Sequence, residues 1–137
     1  MTLSGGTATA AALRQQFLSV IDELEATLLA SARLADDRDN DNRQEGIKLR
    51  RVIAEKLLIV SQLGQAAFRD TDQSATFQRK FSSMRAILAH HQASWPIVSI
   101  DSADPGYIAS VREMREANRG FIIWVRDAVA ALPRSVA

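Results

Sequence analysis

A chain of 137 residues, 47% of them apolar, is long enough to bury one core without covalent staples. It has no cysteine, which excludes disulfides, thiolate catalysis, zinc ribbons and iron–sulfur clusters. A net charge of +1 lacks the electrostatic footprint of a nucleic-acid-binding domain, and 14 Arg against 3 Lys reads as coding bias rather than phosphate recognition.

The opening MTLSGGTATAAAL has neither a basic leader nor a sustained apolar run, so it does not read as a secretory signal. Residues 1–8, with Ser4, Gly5 and Gly6, read as a flexible tail before a single helical domain over 9–133. Leu13, Phe17, Val20, Leu24, Leu28 and Ser31 recur at steps of three and four, one stripe of an amphipathic helix, widened by Ile21 and Ala35. DDRDNDN, residues 36–42, breaks it, because Asp and Asn compete with helical hydrogen bonding.

Asn42 and Glu45 have the spacing of a capping box for a second helix. Leu49, Ile53, Leu57, Val60 and Ala67 form its stripe, flanked by Val52 and Leu63. The run Leu57 to Val60 is apolar all the way round, which suits a helix that is central or paired with something else. A second break covers 69–74, with Asp72 or Ser74 as the cap.

The third helix carries Phe77, Phe81, Met84, Leu88, His91 and Trp95 in strict steps of four and three. Pro96 ends it, since proline cannot continue the ladder and restricts the residue before it. Ile97, Val98 and Ile100 form an extended connector over one end of the bundle. Asp104 and Pro105 are a cap and first-turn pair. The fourth helix carries Val111, Met114, Asn118, Ile122, Val125 and Val129 and stops near Pro133. These elements predict an all-α fold, a mainly antiparallel four-helix bundle with an extended connector between helices 3 and 4. No stretch approaches the roughly 20 apolar residues of a membrane span, and a soluble, cytoplasmic protein is expected.

The chemistry-bearing residues are few. His90 and His91 lack the Glu three residues earlier that di-iron bundles use, and two histidines are too few for a hemerythrin-type site. His91 shares the third seam with Leu88 and Trp95. Its plainest role is to satisfy a terminal carbonyl or the negative end of the helix dipole. A phosphoacceptor role for His90 or His91 is the alternative, although Gln92-Ala-Ser-Trp95-Pro96 follows without the lysine favoured after such a histidine, and the helix ends within one turn.

Asp37, Asp39 and Asp41 have the first spacings of a calcium loop, but Asn42 stands where Gly belongs and Lys48 where a bidentate Glu belongs. A solvated acidic loop is the better reading. No nucleophile motif or phosphate-cradling glycine loop occurs, and the pairs Asp22-Glu23 and Asp36-Asp37 fall where nothing would raise a pKa. The chain therefore reads as having no catalytic residues, metal or cofactor.

Asn118 lies on the fourth seam, and a buried Asn needs a partner. An antiparallel neighbour would bring His91 as that partner, a buried polar pair that fixes register. Steps of about 100° point Ile123 and Trp124 away from the seam, the geometry of interface anchors. Leu58, opposite Val60, reads as another part of such a face, and a dimer face would use the same residues.

The run Ile21-Asp-Glu-Leu-Glu-Ala-Thr-Leu-Leu29, the stretch from Leu49 through Lys56 to Leu63, and Arg115-Glu-Ala-Asn118-Arg119 before an apolar helix end together resemble flagellar export chaperones of the FlgN/FliT type. The resemblance spans most of the chain and departs at Trp95-Pro96 and the connector behind it. It implies a non-enzymatic, cytoplasmic helical protein whose late amphipathic helix binds a helical partner segment. Residues and resemblance alike point to an interaction protein, a chaperone or adaptor, with another protein or a second copy of itself as partner.

Overall fold

The computed structural model describes residues 5–36, 43–97 and 104–133. They form four helices, α1 (Gly5–Asp36), α2 (Arg43–Ala67), α3 (Ser74–Ser94) and α4 (Pro105–Ala131), with no strand among the described residues. α1 packs along α2 and α3 along α4, while sparser contacts close the ring between α2 and α3 and between α1 and α4. The result is the antiparallel four-helix bundle that the spacing predicts.

Helix α1 starts at Gly5, earlier than the tail over 1–8 would allow. Ala8, Ala10, Ala11 and Ala12 carry high helix propensity, and they outweigh the cost of Gly5 and Gly6. Phe17, Val20, Ile21 and Leu24 are its buried face. The capping box at Asn42 and the calcium-like Asp37, Asp39 and Asp41 lie outside the described residues.

The turn between α2 and α3 is built differently from the expected cap. The N-cap of α3 is Gln73, with no side-chain cap hydrogen bond, rather than Asp72 or Ser74. Thr71 organises the turn instead: its hydroxyl donates to the Phe68 carbonyl and accepts from the Gln73 N–H. Asp70 sits at φ 60°, a left-handed conformation that Asp tolerates better than most residues. Phe68 is thereby swung inward and fully buried.

The centre of the core is aromatic. All five phenylalanines, Phe17, Phe68, Phe77, Phe81 and Phe121, are joined by ring contacts at centroid distances of 5.4–6.1 Å. Such tilted and edge-on pairs stabilise beyond their buried area, by roughly 0.5–1.5 kcal/mol each. Gly64 makes room for them: a Cβ there would stand within 2.7 Å of three Phe77 ring carbons. The close approach of α2 to α3 thus requires glycine at this position.

The expected third seam is present, with Phe77, Phe81, Met84, Leu88 and His91 all buried. α3 stops at Ser94 with Trp95 as C-cap, one residue before Pro96. α4 opens as its sequence indicates, with the Asp104 carboxylate accepting from the Gly106 N–H at 2.7 Å and Pro105 in the first turn.

Candidate functional site

Two regions hold the residues singled out by sequence: the end of the bundle around His91, and the outer faces of α2 and α4. At the bundle end, His91 and Tyr107 have ring centroids 5.7 Å apart, and Trp95 meets Tyr107 edge-on at 5.5 Å. His91 Nδ1 and the Ser110 hydroxyl share a 2.7 Å hydrogen bond between α3 and α4. From α2, Arg50 donates to the carbonyl of Trp95 at 2.9 Å and to that of Gln92 at 3.4 Å. Ile97 covers α2 at Gly46, where a Cβ would lie 3.1 Å from its Cδ1. Val98 and Ile100, the rest of the connector, lie outside the described residues.

This geometry corrects two expectations for His91. Two carbonyls at the end of α3, those of Gln92 and Trp95, accept from Arg50, whose guanidinium also occupies the negative end of the helix dipole. His91 therefore serves as a neutral group. Burial, then the charge of Arg50, then that of His90, lower its pKa from 6.5 to about 4. Burial also lowers the pKa of Arg50 from its ordinary value.

The second correction concerns Asn118. It is buried as expected, but it does not meet His91. The register set by His91 with Ser110 leaves Asn118 eight residues further along α4, about 12 Å at 1.5 Å per residue. Its side-chain oxygen Oδ1 is buried without a hydrogen-bond partner among the described residues. The actual partner, Ser110, lies one turn after Tyr107 and about 80° around α4 from Asn118, off the expected seam, so only the register between the helices brings it to His91.

Trp124 is not an outward anchor. It lies half-buried against the core, its ring 5.6 Å from Phe68 and beneath the Lys80 ammonium at 5.8 Å. The apolar core is wider than the single α4 seam, because Phe68 from the α2–α3 turn extends it under Trp124. Ile123 is 47% exposed and Leu58 62% exposed. They do not form one face, since α2 and α4 stand at opposite corners of the ring of helices. Leu58 lies about 160° around α2 from Lys56, which pairs with Glu23 of α1, so it faces away from α1. Ile123 lies about 60° from Arg126, which reaches α1, so it leans toward α1.

The α1–α4 edge is held largely by arginine. Arg126 binds Asp22 at 2.7 Å and Glu25 at 2.9 Å, Arg14 donates to the Pro133 carbonyl at 2.7 Å, and Arg115 to the Ala32 carbonyl at 3.2 Å. The hydrogen bond from Arg126 holds the Glu25 carboxylate below its ordinary pKa. On the solvent side of α4 an open depression is lined by Ala109, Arg112, Glu113, Glu116 and Ala117.

Among the described residues no group of three acidic or histidine side chains could hold a metal, and no helix is long and apolar enough to cross a membrane. His90 is exposed and His91 buried. The chain matches no family model, no curated protein and no solved structure.

Proposed function

We propose that this chain is a non-enzymatic helical interaction protein, a chaperone or adaptor, that binds a helical segment of another protein on its outer surface. The observation that carries this reading is a set of large apolar side chains left outside a filled aromatic core, Leu58 at 62% and Leu29 at 52% exposure foremost. A partner helix would lay its apolar face on such residues, with the surrounding arginines as a polar rim. Trp124 is better used inside, against Phe68. Leu58 and Ile123 serve separate faces, and either one can meet a second copy of the chain.

The test compares the wild type with Leu58→Asp and Ile123→Asp in quantitative affinity purification and in sedimentation. Both variants should keep the helical circular dichroism of the wild type, because both sites are exposed. A partner or a dimer lost with one variant supports the reading. Identical partners and identical mass for all three proteins refute it. The alternative, a phosphotransfer module, narrows to His90, whose side chain is exposed while His91 is buried against Ser110. Labelled phosphate on the wild type that is lost in His90→Ala would favour it.

A further inference from the structure

We infer that the edge between α1 and α4 docks an acidic amphipathic helix of a partner protein. This rests on the interaction reading above and adds to it the face and the partner's charge. On α4, Ile108, Arg112, Arg115, Arg119, Ile123 and Arg126 follow at steps of three and four, which places them in one stripe. Arg115 and Arg126 fix that stripe as the side facing α1, through Ala32, Asp22 and Glu25. On α1, Leu29 continues the line of Asp22 and Glu25, with Arg33 one turn beyond it.

The stripe is apolar at three points and cationic between them. Leu29, Ile108 and Ile123 are 52%, 42% and 47% exposed. Arg33, Arg112 and Arg119 are exposed and have no ion pair among the described residues. On α1, the described acids of this edge, Asp22 and Glu25, are already taken by Arg126. Glu116, about 20° around α4 from Ile123, adds one carboxylate between Arg112 and Arg119, and Asp127 stands farther toward solvent. An occupant that covers the three apolar side chains therefore meets three guanidinium groups, Arg33, Arg112 and Arg119, against the one carboxylate of Glu116, and carboxylates on its flanks are what complement that excess. Ile108 to Ile123 spans about 22 Å, so the matching segment is a helix of roughly 15–20 residues. A nucleic acid strand would use the arginines but leave the isoleucines and Leu29 uncovered.

The test is a displayed library of amphipathic helices with a fixed leucine face and flanking positions randomised among Glu, Gln and Lys, selected against the full chain. Selected helices should be rich in Glu at the flanks. They should shift the amide resonances of Leu29, Arg119 and Ile123, and weaken at least about tenfold on Ile123→Asp and on the double variant R112E/R119E. They should outcompete a single-stranded oligonucleotide of equal charge. Neutral or basic flanks, equal binding by the charge-reversed variant, or equal competition by the oligonucleotide would overturn the proposal. Helices that bind but shift only residues around Leu58 overturn this face while leaving the interaction reading standing. A library that yields no binder sinks both.

Discussion

Protonating His91 should destabilise this protein. The side chain is buried at 5% exposure, its Nδ1 engaged with Ser110 and its ring against Tyr107. The charged groups that act on it are Arg50 from α2 and His90 beside it on α3, and both disfavour a further positive charge. With a folded pKa of about 4 against 6.5 for the free side chain, the unfolded chain binds the proton first as pH falls. The contribution of neutral His91 is therefore intact above pH 6.5 and is lost between 6.5 and 4. At 1.36 kcal/mol per pH unit the whole loss is about 3 kcal/mol, and about 2 kcal/mol of it falls between roughly pH 7 and 5. That is a large share of the roughly 5–15 kcal/mol that a domain of this size holds. Urea unfolding of wild type and His91→Gln across this range isolates the effect, because carboxylate titrations are common to both proteins. The wild type's stability relative to the variant should fall by about 2 kcal/mol on acidification. A difference that stays flat with pH, or a His91 resonance that titrates at its ordinary value, would refute the reasoning.

Three further outcomes follow from packing. Gly64→Ala should lose about 2 kcal/mol in urea unfolding, because Phe77 is hemmed in by four other phenylalanines and cannot yield to the added methyl; wild-type stability in this variant would show that the helices can part. Gly120→Ala should gain about 1 kcal/mol, since a Cβ there meets nothing within 4 Å and the helix no longer pays for a flexible residue. Asn118→Leu should raise the Tm, by the equivalent of about 1–2 kcal/mol, as it removes a buried oxygen with no hydrogen-bond partner among the described residues; a lower Tm would mean that Oδ1 is satisfied in solution.

The helices and seams were legible because steps of three and four are properties of one helix at a time. Phe77, Phe81, Met84, Leu88 and His91 could be placed on one buried line without knowing what lay opposite. Proline and the Asp104 cap act locally, so the C-terminal end of α3 and the start of α4 were legible too. The misplaced features depend on relations between helices. His91 and Asn118 share a polarity and the right pair of helices, but the register offers Ser110 instead. Trp124 points off its own seam, and only the position of Phe68 turns that direction inward. Phe68 itself lay beyond the last helical step of α2, and its burial follows from the turn at Asp70 and Thr71. Arg50 gave no local signal, since its acceptors come from carbonyls 42 and 45 residues away.

The arginine excess gains a structural meaning from the same contacts. A planar guanidinium offers five donors in a fixed fork, whereas a lysine ammonium is a compact point charge. Arg50 uses that fork on two carbonyls at the end of α3, and Arg126 uses it on two carboxylates of α1. Arg14 and Arg115 each reach a backbone carbonyl across the α1–α4 edge. Where apolar packing between helices is sparse, then, arginine supplies the joint. Such joints at the surface contribute little each, on the order of 0–1 kcal/mol. The α1–α4 edge is accordingly crossed by directional contacts at its surface, over the shared apolar core. A helix docked at the proposed edge would leave in place the contact of Gly64 with Phe77 that brings α2 and α3 together. This separates the part of the molecule that keeps the fold from the edge proposed above for docking.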